Sequence, residues 1–220
     1  MAAKASKALW YSFDANWYRA EYGAIMDALL SFSDQELEHW YKTEGAPSGH
    51  SPNRYFNEEW YRVNCSQAAE AITNGTYTSG FEHYCNEGYK SFSPHYLFSE
   101  RYYRQRYPDI SEQNLQSGGF VNGYDHFLRS GDQEKRSGHL FFDPNIYLQN
   151  RPADPNLQGL APFMNLLHSA HSLPNSISLS DHFNPTWYRA LCPDAVMAVE
   201  YGFAPNVLYQ FLSAFTPDHF

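Results

Sequence analysis

The frame Phe-(Asp/Asn/Ser)-x-x-x-Tyr returns five times in this chain, with lead phenylalanines at Phe13, Phe56, Phe98, Phe142 and Phe183 and spacings of 43, 42, 44 and 41 residues. A steady period of this length indicates an array of stacked helical units. The residue after each lead Phe is Asp14, Asn57, Ser99, Asp143 or Asn184, and each carries a side-chain oxygen able to accept from a free amide of a helical first turn. Pro144 and Pro185 follow at the first helical position, where a missing N–H costs nothing. Phe then precedes the cap and Tyr18, Tyr61, Tyr103, Tyr147 and Tyr188 take the fourth helical place, the two positions that pack as a hydrophobic staple. Arg19, Arg62, Arg104 and Arg189 come next, with long stems that can lie over apolar surface.

Pro108, Pro152 and Pro193 fall ten residues after their lead Phe, so the first helix of a unit is about two turns long. A second segment follows, as in "SQAAEAITNG" and "PDAVMAVEYG", with a glycine near its end suited to the left-handed C-terminal conformation. A third begins at Ser79-Gly-Phe-Glu82, a capping-box pattern, and runs through His83 and Tyr84 to Gly88. Its counterparts read as Leu37–Tyr41, Tyr124–Leu128, Phe163–Leu167 and Leu208–Leu212. Isolated helices below about 12 residues are marginal in water, so each must bury its face on its neighbours. The expected fold is all-α, an α-solenoid-like array of five short three-helix repeats: residues 1–12 form an N-terminal segment, 13–182 a four-repeat array and 183–220 a fifth, incomplete repeat. The Ser- and Pro-rich stretch from His168 to His182 is the candidate linker before the fifth unit. "SGHSPNRYF" and "SGHLFF" are also compatible with the Gly-His of a propeller blade, but the four alternating strands and Trp-Asp pair of a blade are not visible in the sequence.

Composition limits the partners. Aromatics reach 18% and hydrophobics 43%, which marks a folded chain. A net charge of −9 argues against nucleic acid and against anionic lipid, both of which need clustered Lys and Arg. No apolar run reaches the roughly 18 to 20 residues needed to span a bilayer, and "MAAKASKALWYSF" lacks the apolar block of a secretory signal. A cytoplasmic location is expected, with secretion by a route that uses no cleaved signal peptide as the alternative. Cys65, Cys85 and Cys192 are odd in number and irregularly spaced, as reduced thiols are.

Glu38-His39, Glu82-His83 and Asp125-His126 pair an acid with an imidazole, yet adjacent helical residues point in different directions and make no catalytic dyad. The position recurs as Asn165 and Gln210, which keep hydrogen bonding and lose titration, so a structural role is expected. His168 and His171 have a spacing that could share a metal on a helix, but the sequence points to no third ligand. No phosphate loop, His-Glu-x-x-His or Gly-x-Ser-x-Gly occurs, so no catalytic residue, cofactor or metal is expected. Exposed aromatics beside amides and carboxylates suit sugar binding. Trp17, Trp60, Tyr102 and Trp187 recur at one offset and read as core; the non-repeating Trp10, Trp40, Tyr77 and Tyr89 are the candidate contacts for a glycan or a partner.

The combination carried by "FSERYYRQRYPDI" with "YDHFLRSG", by "FNEEWYRVN" with "FEHYCNEG", and by "FNPTWYRALCPDA" resembles a tandem repeat of bacterial glycosyltransferases of surface-polysaccharide synthesis. A similar repeat occurs in some large secreted proteins with calcium-binding tails. The fourth unit departs from it at Leu148, Asn165 and Ala170, and the fifth at Gln210 and Phe215. The resemblance implies a non-catalytic accessory array that holds an acceptor glycan or a partner protein and contributes no catalytic residue; an adhesion module of a secreted repeat protein is the alternative. The period places a next lead Phe at about 224 to 227, so the chain reads as a piece of a longer protein. Phe211, Phe215 and Phe220 are expected to form an apolar face open to self-association.

Overall fold

The computed structural model describes residues 7–24, 26–169 and 176–214. Unit one contains α1 (Ala15–Tyr22) and α2 (Asp34–Trp40); unit two α3 (Glu58–Asn64), α4 (Ser66–Thr73) and α5 (Gly80–Asn86). Unit three contains α6 (Glu100–Arg106), α7 (Glu112–Ser117) and α8 (Gly123–His126), unit four α9 (Pro144–Asn150) and α10 (Pro162–Ser169), and unit five α11 (Pro185–Leu191), α12 (Pro193–Glu200) and α13 (Val207–Ser213). The fold is all-α. Among the described residues there is no strand, only isolated bridges at His139–Phe142 and Ser180–Phe183, which removes the propeller. The middle segment is an α-helix in units two, three and five and shrinks to a 3₁₀ turn in units one and four, at Asp27–Ser31 and Pro155–Leu157.

All five lead helices start as their caps dictate. The side chains of Asp14, Asn57, Ser99, Asp143 and Asn184 accept from the amides of Trp17, Trp60, Tyr102, Ile146 and Trp187 at 2.7 to 3.2 Å. The staple forms in every unit, with Phe and Tyr ring centroids 5.1 to 5.8 Å apart. Middle segments in units two to five close on glycines of positive φ, Gly75, Gly119, Gly159 and Gly202, conformations that a Cβ would strain. The capping box expected at Ser79 is only half made: Ser79 Oγ accepts from the Glu82 amide, but the Glu82 carboxylate reaches back to Thr78. The reciprocal pair forms instead at Ser33 and Glu36.

The staple tyrosines of units one to four are fully buried, and a buried hydroxyl needs a partner. Tyr61 meets His83 Nδ1 at 2.9 Å, Tyr103 meets His126 Nδ1 at 3.0 Å, and Tyr147 donates to Asn165 Oδ1 at 2.7 Å. Unit one corrects the expected register. Tyr18 pairs with His50 at 2.6 Å, while His39 is exposed. Gly45, Gly88 and Gly131 mark the true alignment, since a Cβ on each would strike the hydroxyl of Tyr18, Tyr61 or Tyr103. Counting back from them puts Trp40, not His39, level with His83 and His126.

Repeated hydrogen bonds join the units. The cap amides of Asp14, Asn57, Ser99 and Asp143 donate to the carbonyls of Pro52, Pro94, Gly138 and Leu179 at 2.8 to 3.1 Å. Each acceptor lies four residues before the next lead Phe. One residue later sit Asn53, His95, His139 and Ser180, all buried. Their side chains accept from the amides of Tyr55, Leu97, Phe141 and His182, closing a local turn. The third-segment amides are held by carboxylates from elsewhere: Glu58 takes Gly80 and Phe81, Glu100 takes Gly123 and Tyr124, and Asp132 takes Phe163 and Met164.

The array curls on itself. Asn206, the cap of α13, donates to the Tyr96 hydroxyl at 3.0 Å, and Tyr209 packs on Trp60 and Tyr96 at 5.9 and 5.2 Å, so unit five lies against unit two. One apolar core runs from Trp10 through units two, three and four to Val207 and Leu212, and a smaller one serves unit one. The described part of the linker is tied in, with Leu179 taking the stitch from Asp143. Phe211, expected on an open face, is half-buried against Phe183 and Phe141; Phe215 and Phe220 lie outside the described residues.

Three substitutions test this framework. Tyr103→Ala is expected to lower unfolding free energy by about 3 to 5 kcal/mol, and Tyr103→Phe by about 1 kcal/mol through loss of the His126 bond, both read from urea midpoints. Gly88→Ala, whose new methyl would have to displace the Tyr61 hydroxyl, is expected to cost about 1 to 3 kcal/mol by overpacking.

Candidate functional site

Where the curl closes it leaves a cleft of about 700 Å³ between units one and two on one side and unit five on the other. Trp17 and Tyr22 of α1 form one wall, Tyr96 and Asn206 face the space from the loop before Phe98 and the start of α13, and Leu166 and Leu208 line its apolar floor. Trp17 is half-buried and stands edge-on to Tyr22, at 6.0 Å and 89°. Tyr22 stacks flat on His50 at 4.0 Å, and its hydroxyl accepts from the Ser51 amide at 2.9 Å. Tyr96 stacks on His95 at 4.6 Å. The aromatic faces are therefore fixed by packing before any ligand arrives.

The polar groups of the cleft are divided between structure and solvent. Asn53 spends its amide on the carbonyls of Trp10 and Ser12. Arg54 lies 3.8 Å from Asp14, while Glu59 is exposed at the rim. Burial pushes Tyr22 up to about 12 and holds His95 down to about 3, with neighbouring His139 adding to the effect; His139 itself is lowered to about 4 by burial. Each imidazole accepts a backbone amide at Nδ1, from Leu97 and Phe141 respectively.

The four aromatic residues singled out in the sequence do not come together. Trp10 is fully buried, edge-on to Tyr84 at 4.7 Å and 6.3 Å from Tyr89, which is itself buried; core packing occupies the ring faces of both. Trp40 is half-buried beside a shallow groove with Phe32 and His39, and Tyr77 lines another, its hydroxyl donating to Glu87 at 2.8 Å. The recurring aromatics expected in the core divide differently. Trp60 packs on Tyr96, and Tyr102 lies beside His139, whereas Trp17 borders the cleft and Trp187 is 66% exposed.

The acid–histidine pairs are taken up by the fold. His83 and His126 hold tyrosine hydroxyls, Glu82 caps at Thr78, and Asp125 accepts the Val121 amide and lies 3.3 Å from Arg129. Glu38 pairs with Lys42 at 2.6 Å. No cluster of three or more His, Cys, Asp or Glu side chains able to hold a metal occurs among the described residues, and His171 lies outside them. Cys65 and Cys85 are buried free thiols and Cys192 is half-buried. No helix among the described residues is long and apolar enough to cross a membrane. Tyr96 and Asn206 escaped the sequence reading because nothing local joins residues 110 positions apart. Comparison with family models, with curated proteins and with solved structures finds no match to the chain.

Two of the buried histidines, His95 and His139, give the fold a pH dependence of known sign. A histidine in the unfolded chain titrates near 6.5, whereas His139 and His95 stay neutral in the fold down to about 4 and 3. Their contribution is complete above pH 6.5 and drains away as pH falls, because only the unfolded state takes up the protons. Asp132, raised to about 6 by burial, opposes this between about pH 4 and 6. His95→Asn, which installs the residue found at Asn53, is expected to shrink the fall in Tm between pH 7 and pH 4.5 relative to the parent chain, measured by calorimetry across that range.

Proposed function

We propose that this chain is a non-catalytic helical repeat module of a bacterial glycosyltransferase of surface-polysaccharide synthesis, and that its cleft holds the acceptor glycan. The observation that carries this reading is the cleft itself: Trp17 and Tyr96 offer pre-set aromatic faces in a space that also admits Asn57, Asn206 and Arg54. A pyranose ring lays its C–H face on an aromatic side chain while amides and guanidinium take its hydroxyls. Glu21 and Glu59 at the same cleft, in a chain of net charge −9, favour neutral over acidic sugars. The non-catalytic part is supported by the acid–histidine pairs of units two and three, whose histidines hold the staple tyrosines and whose acids accept local backbone amides.

Titration calorimetry with neutral and acidic oligosaccharides tests the cleft. Neutral chains of several residues are expected to bind with Kd on the order of 0.1 to 1 mM, about −4 to −5.5 kcal/mol. Trp17→Ala and Tyr96→Ala should each weaken binding about tenfold or more, while Tyr77→Ala on the outer surface leaves it unchanged. Equal losses for all three variants, or no binding to any oligosaccharide, overturn the assignment to the cleft. Incubation with a panel of sugar nucleotides should yield no product; turnover abolished by a point change in this chain overturns the non-catalytic reading.

A further inference from the structure

The array carries a second recess built on the plan of the cleft. Between units three and four lies a space of about 140 Å³, bordered by Tyr102 and Arg106 of α6, Leu140 of the following loop, Asp143 and Ile146 at the start of α9, and Asp181 of the loop before Phe183. Counted from the lead phenylalanines, Tyr102 and Arg106 stand where Trp17 and Glu21 stand in unit one. Leu140, Asp143 and Asp181 likewise take the places of Arg54, Asn57 and Tyr96, and all five of these counterparts border the cleft. Every residue lining the recess except Ile146 has such a counterpart there, although the two spaces share no residue. The repeat has made one shape twice, two junctions apart.

The junction between them shows what the shape accepts. There the lead-helix and loop residues are Trp60 and Tyr96, and Tyr209 of α13 is buried against both, its ring 5.9 Å from the first and 5.2 Å from the second. A six-membered ring thus fills at the middle junction the place that is open space at the other two.

The walls between units three and four select the kind of ring. The volume equals that of four or five waters at roughly 30 Å³ each, room for one ring and not for a chain. Tyr102 and Ile146 are half-buried apolar faces, and Arg106 is held 5.9 Å from the Tyr102 ring centroid. Asp143 and Asp181 set two carboxylates against that one cation, the balance that Glu21 and Glu59 strike with Arg54 in the cleft. An aromatic side chain entering here would take these charges out of water without answering them. The hydroxyls of a neutral sugar accept from the guanidinium and donate to the carboxylates while its C–H face meets the tyrosine. We propose that the recess between units three and four is a second subsite, which binds one residue of a neutral glycan independently of the cleft. The proposal rests on the reading of the cleft as a sugar site.

NMR titration of the full chain, with tyrosine and tryptophan side chains isotopically labelled, reads the two places separately. The probes are neutral trisaccharides of glucose, galactose and N-acetylglucosamine, with N-acetyltyrosine amide as the aromatic competitor. Signals of Tyr102 and of Trp17 should both move, and the Tyr102 response should persist in Trp17→Ala. Arg106→Ala and Asp181→Ala, changes at exposed positions whose folding is checked by circular dichroism, should each raise the Tyr102 midpoint about fivefold or more, the loss of one hydrogen bond to a charged group. A response at Trp17 with none at Tyr102 overturns the second subsite and leaves the cleft reading standing. A response at Tyr102 with none at Trp17 supports the subsite and overturns the cleft reading, and silence at both overturns the two together. Loss of the Tyr102 response in Trp17→Ala, a midpoint unmoved by either surface change, or a stronger response to N-acetyltyrosine amide than to any trisaccharide would each overturn the proposal.

Discussion

A cap amide that donates its hydrogen bond to the next unit's loop is the interaction on which this array rests. Helices of seven or eight residues close too few internal bonds to offset the entropy of fixing their backbone. Here the side chain of the cap residue satisfies the helix start while its own N–H reaches across to Pro52, Pro94, Gly138 or Leu179. One residue thus ends the solvent exposure of two backbone segments. The same economy appears at the third helical segments, whose free amides are answered by Glu58, Glu100 and Asp132. These carboxylates are buried and burial raises the pKa of each, a cost that their placement at helix N-termini and several amide bonds offsets.

The tyrosine–histidine pairs are the second layer. A fully buried phenol must find a partner, and the same burial lowers the pKa of the imidazole that provides one. A chain rich in histidine beside acid looks poised for proton transfer when read as a string. Folded, it has committed those groups to fixing ring orientation between helices. Asn165 performs the task in unit four without any titratable atom, which shows that hydrogen-bond geometry, and not basicity, is what the position requires.

Much of the architecture was legible in short-range chemistry. Caps, staples, Pro144, Pro185 and the glycines after the middle segments act within one or two turns, so their patterns survive in the string. Unit one was misaligned because Glu38-His39 imitates Glu82-His83, whereas its histidine partner, His50, arrives from the following loop. Gly45 carried the correcting signal, since only its missing Cβ admits the Tyr18 hydroxyl. Trp10 looked free because it fell outside the repeat; in fact its place three residues before Phe13 belongs to the loop series and is buried. The cleft was not legible at all. It exists because the curl returns Asn206 to Tyr96, and curvature accumulates from small rotations at every junction that no local motif records.

The close approach of each tyrosine hydroxyl to a glycine acts as a ruler. Gly45, Gly88 and Gly131 follow their lead phenylalanines by 32, 32 and 33 residues, a span that varies by no more than one residue because both ends are clamped. Between the clamps the middle segment changes freely, from an eight-residue helix at Ser66–Thr73 in unit two to a short 3₁₀ turn at Asp27–Ser31 in unit one. Clamped ends with an interchangeable insert make the middle segment the natural seat of diversification: its outward surface can be rewritten, unit by unit, without disturbing the hydrogen bonds that hold the stack.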